Sequence, residues 1–207
     1  MIPRLCYITD GRRGTAGRPL DRVVREAVGA GLGMVIVREL ALADAELGNL
    51  LESLRPLREH GLRLLVSRRL DLVRAHGLDG AHLAADSIAV SEARAWLGAR
   101  ALLGYSAHSR EDARAAAAAG ADYVTLSPIY ATDSKPGLRG RGTTWLAAAT
   151  QGLQVPALAL GGVTPARTRE ILEAGAAGVA AVAASAISAM RGAFRTFVFI
   201  SKFPRER

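Results

Sequence analysis

The sequence contains one cysteine and two lysines, and aromatic residues make up only 5% of its 207 positions. Cys6 alone can form neither an internal disulfide nor a cysteine metal cluster, and its apolar surroundings predict a small buried core residue. The N-terminus shows no signal-peptide pattern, which together with the scarcity of cysteine favours a cytoplasmic protein. The longest apolar runs, 113–121 and 174–187, are mainly Ala and Gly, so no membrane association is expected.

The charge is unbalanced, with a formal net charge of +8, but the arginines are spread along the chain rather than gathered in one stripe. Nucleic acid is therefore not an expected partner. With 50% hydrophobic residues the chain is predicted to form one globular domain over residues 1–207. All four phenylalanines fall in the last fourteen residues, which makes 190–207 an atypical, Phe-rich basic segment.

Short apolar segments alternate with helical segments in eight pairs of about 25 residues each. The predicted strands are Leu5–Asp10, Met34–Glu39, Leu62–Ser67, Gly80–Ala84, Ala101–Ser106, Tyr123–Pro128, Ala157–Gly161 and Gly178–Ala183. The predicted helices, which mostly begin near Ser, Thr or Asp and end at Gly, are Leu20–Gly31, Leu42–Gly61, Ser87–Gly98, Ser109–Gly120, Thr143–Gly152 and Thr164–Gly175. Eight such units predict a single (β/α)8 TIM barrel, whose active site lies at the C-terminal ends of the strands.

Two side chains at predicted strand ends suit chemistry on a charged substrate. His108 follows the fifth strand, and an imidazole can take up and return a proton near neutral pH. Its alternative role is to cap the next helix. Arg38 ends the second strand and suits a substrate carboxylate or phosphate. The alternative is a structural salt bridge to Glu39 or to another acidic residue of the barrel. His82 points either into the core or toward the mouth.

Two further regions are predicted to bind phosphate. The long polar loop after the sixth strand offers Thr132, Ser134 and Lys135 as donors. Gly161 and Gly162 follow the seventh strand and let backbone N–H groups approach an anion. A metal site would need several clustered carboxylates, and only Asp86 is well placed, so no protein-held metal is expected.

These segments together resemble the thiamine phosphate synthase and TenI family of small barrels. The matching pieces are Tyr7-Ile8-Thr9-Asp10, Val37-Arg38-Glu39, Arg69-Leu70-Asp71-Leu72, Gly80-Ala81-His82-Leu83, Ser106-Ala107-His108-Ser109, Gly120-Ala121-Asp122-Tyr123-Val124, Pro128-Ile129-Tyr130, Thr132 with Lys135, Gly161-Gly162-Val163-Thr164 and Ala174-Gly175-Ala176.

The chain departs from the synthase branch of that family at three motifs. Ile36 and Leu40 replace the usual Gln and Lys around Arg38, and Ser67 and Arg68 replace an Asn and a metal-binding Asp. The turn 84–87 also differs, leaving Asp86 one position from the usual ligand. Ala183 stands where the family has a phosphate-binding serine, so Ser185 could substitute only if the loop shifts.

The loop 132–142 instead resembles the TenI branch, and this resemblance implies a thiazole tautomerase. Such an enzyme aromatises a carboxylated thiazole phosphate by a proton shift, with no metal or redox cofactor. His108 matches the proton-transfer residue, the Gly161-Gly162 loop would hold phosphate, and Arg38 or Lys135 would take the carboxylate. Ser106, Thr132, Ser134 and Ser185 complete the expected substrate-binding set.

Two alternatives stay open. One is a divergent thiamine phosphate synthase that couples a pyrimidine pyrophosphate to thiazole phosphate with Mg²⁺ on Asp86. The other is a non-catalytic regulatory barrel that binds a phosphate ester. The expected partner in each case is a small molecule, and the sequence leaves a homodimer open.

Overall fold

Eight parallel strands close into a barrel in the computed structural model, which describes residues 1–11, 15, 17–132 and 137–182. The strands are β1 Leu5–Ile8, β2 Met34–Val37, β3 Arg63–Ser67, β4 Gly80–Leu83, β5 Leu102–Ala107, β6 Tyr123–Leu126, β7 Ala157–Leu160 and β8 Gly178–Ala181. Each strand pairs with the next along the chain, and β8 pairs with β1 through Cys6 and Ala180. The predicted (β/α)8 barrel is confirmed.

Among the described residues, six helices lie where they were predicted, mostly with shorter bounds, and a short helix that was not predicted follows β3. They are α1 Leu20–Gly29, α2 Asp44–Leu54, α3 Leu70–Ala75, α4 Val90–Leu97, α5 Arg110–Ala118, α6 Gly142–Thr150 and α7 Thr168–Glu173, with 3₁₀ turns at Arg55–His60 and Pro165–Arg167. The predicted helix Leu42–Gly61 is α-helical only to Leu54 and continues as a 3₁₀ turn over Arg55–His60, where Pro56 lacks a backbone N–H and Gly61 ends the turn in a left-handed conformation. No helix within the described ranges is long and apolar enough to cross a membrane.

Two apolar layers hold the barrel together. The inner layer fills the barrel with alternate strand residues and includes Cys6, Ile36, Leu65, Tyr123 and Leu158. The outer layer packs the other faces of the same strands against the helices. Cys6 is fully buried, which confirms its predicted place in the core, and burial raises the pKa of its thiol.

An ion-pair cluster closes the N-terminal face of the barrel around Asp79, whose side chain is 8% exposed. Its carboxylate accepts hydrogen bonds from Arg58 at 2.8 Å, from Arg63 at 3.1 Å and from the backbone N–H of Leu64 at 2.9 Å. Burial alone would raise the pKa of the Asp79 carboxyl, but these hydrogen bonds hold it below its usual range. The cluster ties the second βα unit to β3 and β4.

Replacement of Asp79 by alanine is therefore expected to lower the free energy of unfolding by about 3 kcal/mol. The reason is that Arg58, Arg63 and the backbone N–H of Leu64 lose the carboxylate that accepts their hydrogen bonds. Urea unfolding measures the change. Asp71→Ala is the matched control, because Asp71 pairs with Arg69 on the surface and its loss should cost under about 1 kcal/mol. Equal costs for the two variants would contradict a special role for Asp79.

Candidate active site at the barrel mouth

His108 lies directly after β5 at the mouth of the barrel and is partly buried. Its backbone N–H donates to Asp112, but the N-cap of α5 is Ser109, whose hydroxyl accepts from the N–H of Asp112 at 2.9 Å. The imidazole is therefore not the helix cap, which removes the structural alternative. Its Nδ1 lies 3.3 Å from the carbonyl oxygen of Ser127.

That contact decides which nitrogen of His108 is available for chemistry. A carbonyl oxygen only accepts, so in the neutral imidazole Nδ1 carries the hydrogen and donates to Ser127. Nε2 is then the bare nitrogen and can accept a proton. An imidazole held in this tautomer at a barrel mouth is arranged as a general base.

A polar chain runs from the inside of the barrel to its mouth. His82 on β4 is 4% exposed and points into the barrel, since its Nδ1 lies 3.1 Å from the hydroxyl of Tyr123, which belongs to the inner layer. Its Nε2 lies 2.9 Å from Oγ of Ser106. Burial lowers the pKa of His82 to about 4. Thr125 donates to Ser106 at 3.4 Å, and Ser106 itself is partly exposed.

Gly104 makes room for this chain between the two rings. A Cβ at that position would lie 2.2 Å from Cζ of Tyr123 and 2.4 Å from Nδ1 of His82. The rings stack with centroids 5.5 Å apart. Sequence analysis missed Tyr123 and Thr125 as parts of the site. A glycine inside a strand, which often marks a close approach, was the available signal.

Arg38 at the end of β2 has an exposed side chain, while its backbone N–H donates to Oγ1 of Thr9 at 2.9 Å. Glu39 turns away and accepts the backbone N–H of Gly11 at 3.0 Å. Within the described residues Arg38 forms no salt bridge. The predicted alternative, a salt bridge from Arg38 to Glu39 or to another barrel acid, is not found among these residues, because Glu39 instead accepts the backbone N–H of Gly11. With respect to the described part of the chain, the guanidinium is available for an anion.

The Gly161-Gly162 turn after β7 lies against the loop that follows β6. Both glycines have positive φ, 97° and 61°, and a Cβ on Gly162 would lie 2.5 Å from the carbonyl oxygen of Ala131. Arg167 donates to the carbonyl of Gly162 at 2.8 Å and lies over the ring of Tyr130. Only glycine fits this conformation and approach. The turn is thus fixed in shape beside the mouth.

Several predicted site residues lie outside the described part of the chain. They are Ser134, Lys135 and Ser185, together with the Phe-rich segment 190–207. Thr132 is the last described residue before the gap and is partly buried. The binding roles given to these residues stay predictions.

Asp86, the candidate magnesium ligand, is paired with a cation. Its carboxylate lies 2.6 Å from Nη2 of Arg68 and is 73% exposed, and the hydrogen bond from Arg68 lowers its pKa. Across the described residues, His, Cys, Asp and Glu side chains form no group of three or more that could hold a metal. Among the described residues Asp86 therefore offers Mg²⁺ a single exposed carboxylate that already binds an arginine, outside any group of three ligating side chains, and this does not fit a protein-held Mg²⁺ site.

Comparison with known proteins agrees with the fold and identifies relatives. The TMP-TENI family, described as thiamine monophosphate synthase, matches residues 5–185. A thiamine-phosphate synthase of Haloarcula marismortui is 39% identical over 175 residues, covering 82% of this chain and 83% of the relative. One of Syntrophomonas wolfei is 36% identical over 172 residues and covers 82% of each chain. The structure of a thiamine phosphate pyrophosphorylase from Pyrococcus furiosus superimposes with a TM-score of 0.82 at 26% identity, covering 93% of this chain and 95% of that one.

Proposed function

Because this chain belongs to the TMP-TENI family of thiamine-biosynthesis barrels, we propose that it aromatises a carboxylated thiazole phosphate, with His108 as the acid–base residue. The observation that carries the proposal is the position of His108 at the barrel mouth, where the carbonyl of Ser127 binds Nδ1 and leaves Nε2 as the acceptor. The reaction is an isomerisation, so every atom and electron of the substrate is kept.

In the proposed reaction Nε2 of His108 takes a proton from an sp3 ring carbon and returns it to a carbon outside the ring, at the far end of an exocyclic double bond. The electron pair left by the proton moves into the ring and completes the aromatic system. A single imidazole serves both steps, since it is a base before the first and an acid after it. The negative groups of the substrate need fixed positive partners during this transfer. Arg38 supplies one of them at the end of β2.

This proposal predicts absorbance changes of the substrate in the ultraviolet when purified protein is added in buffer with a metal chelator. Aromatisation of the ring gives the product its own spectrum, so the rate is read directly. Absence of catalysis under these conditions, with the protein folded, would contradict the proposal. Tight binding of the phosphate ester without turnover would then favour the non-catalytic barrel.

Replacement of Arg38 by methionine is expected to raise KM for the thiazole phosphate roughly 10- to 100-fold, because one charge-assisted contact is lost. The kcat should change much less, since Arg38 binds the substrate before and after proton transfer alike. Steady-state kinetics measures both constants. Arg25→Met, on the exposed face of α1, is the matched control. An unchanged KM in the Arg38 variant would place the substrate anion elsewhere.

The second candidate is thiamine phosphate synthase, and the names of the relatives favour it. It would need the pyrophosphate and metal to be bound by groups other than an unshared Asp86, because Arg68 already occupies that carboxylate. The two candidates share the thiazole phosphate and differ in their dependence on Mg²⁺.

A further inference from the structure

We propose that His82 and Tyr123 act as positioning residues. They orient the hydroxyl of Ser106, one of the substrate-binding residues that the family resemblance implies, so that it can only donate a hydrogen bond toward the barrel mouth. This inference rests on the proposed function only for the presence of a substrate at the barrel mouth. The direction of the hydrogen-bond chain follows from the protein alone.

The buried hydroxyl of Tyr123 determines which atom donates in each hydrogen bond of the chain. Its ring is fully buried, and within the described residues the one hydrogen-bond partner of its hydroxyl is Nδ1 of His82 at 3.1 Å. If Nδ1 carried the hydrogen, the phenol O–H would be buried without an acceptor, which is costly. The phenol therefore donates, and Nδ1 is the bare nitrogen of His82.

The tautomer of His82 sets which atom donates in its hydrogen bond to Ser106. His82 is neutral at ordinary pH, because burial lowers its pKa to about 4. A neutral imidazole with a bare Nδ1 carries its hydrogen on Nε2. Nε2 therefore donates to Oγ of Ser106, which lies 2.9 Å away.

Ser106 is left with only one way to bind a ligand. Its oxygen accepts from Nε2 of His82. Thr125 is fully buried, and within the described residues the one hydrogen-bond partner of its hydroxyl is Oγ of Ser106 at 3.4 Å, so this hydroxyl also donates to Ser106. A serine hydroxyl has two acceptor sites and one donor, so the remaining capacity is the O–H. Ser106 is partly exposed to the mouth, whereas its two partners are buried. A carboxylate or phosphate oxygen is the acceptor that such a donor suits best.

Kinetics of a double-mutant cycle tests the link between the buried pair and Ser106. Ser106→Ala should raise KM roughly 10-fold, and Ser106→Thr, which keeps a hydroxyl, should restore most of the loss. Tyr123→Phe should raise KM by a smaller factor, and adding it to Ser106→Ala should have little further effect. Additive effects of the two changes would mean that Tyr123 acts independently of Ser106 and would overturn the proposal. Substrates lacking the carboxylate or the phosphate identify which group Ser106 binds.

Nitrogen-15 NMR of the imidazoles in the wild-type protein tests the direction without any activity. His82 is assigned by its disappearance in His82→Asn. We expect an acceptor-type shift for Nδ1 and a protonated-type shift for Nε2, unchanged from pH 8 to pH 5, with Nδ1 moving in Tyr123→Phe. The opposite tautomer would overturn the proposal even if aromatisation is observed. If the expected tautomer is found in a protein that does not catalyse aromatisation, the orientation of Ser106 by His82 and Tyr123 stands and only the proposed function is rejected.

Discussion

His108→Ala is expected to lower kcat for aromatisation by roughly 100- to 10,000-fold, the usual contribution of a positioned general base. The loss should fall mainly on kcat, since the substrate anions bind elsewhere at the mouth. His108→Gln should be nearly as slow, because an amide keeps polarity but cannot carry a proton between two atoms. Single-turnover rates followed by ultraviolet absorbance separate this step from product release.

His60→Ala serves as the control for that experiment, since His60 is exposed and directly precedes β3, which places it at the N-terminal end of the barrel, opposite the mouth. Its kcat should match that of the wild type. A His108→Ala variant that retains most of the wild-type kcat would show that the proton is transferred by another group. Because His108 lies at the mouth outside the core, both variants should melt close to the wild-type temperature.

Gly104→Ala is expected to lower the free energy of unfolding by about 3 kcal/mol, at the upper end of what overpacking of a core costs. The added Cβ would lie 2.2 Å from Cζ and 2.4 Å from the hydroxyl oxygen of Tyr123. The ring of Tyr123 and the imidazole of His82 are both buried, so neither can move aside without displacing other core atoms. The same substitution should also raise KM by breaking the contact to Ser106.

Urea unfolding measures this effect, with Gly29→Ala as the control. Gly29 lies in α1 with nothing within 4 Å of an added Cβ, so alanine there should be neutral or stabilise by up to about 1 kcal/mol. If Gly104→Ala unfolds at the wild-type urea concentration, the two rings do not pack across this strand as described.

The fold could be predicted almost completely from the sequence, because strands buried on both faces and helices ending at glycine repeat with a regular period. The predicted helix bounds were less accurate where a single residue ends the helix although the spacing of apolar residues continues. Pro56 converts the end of the second helix into a 3₁₀ turn, although the apolar spacing continues to Leu57. The six-residue helix α3 is too short to show a period at all.

The site was predictable where a polar residue directly follows a strand, as His108 and Arg38 do. The chain of His82, Tyr123 and Ser106 was not, because inward and outward residues alternate along strands whose two faces are both apolar. Sequence pattern does not then reveal which residues face the barrel interior. The pairing of Arg68 with Asp86 was missed for another reason, since it joins two loops that are 18 residues apart.

We propose that this barrel aromatises a carboxylated thiazole phosphate, although its relatives are named for the coupling reaction. The most direct test measures both reactions on one preparation of the wild-type protein. Aromatisation is followed in a metal chelator, and thiamine phosphate formation from the pyrimidine pyrophosphate and thiazole phosphate is followed with Mg²⁺. We predict catalysed aromatisation and no coupling above the rate without protein. Mg²⁺-dependent coupling without aromatisation would contradict the claim.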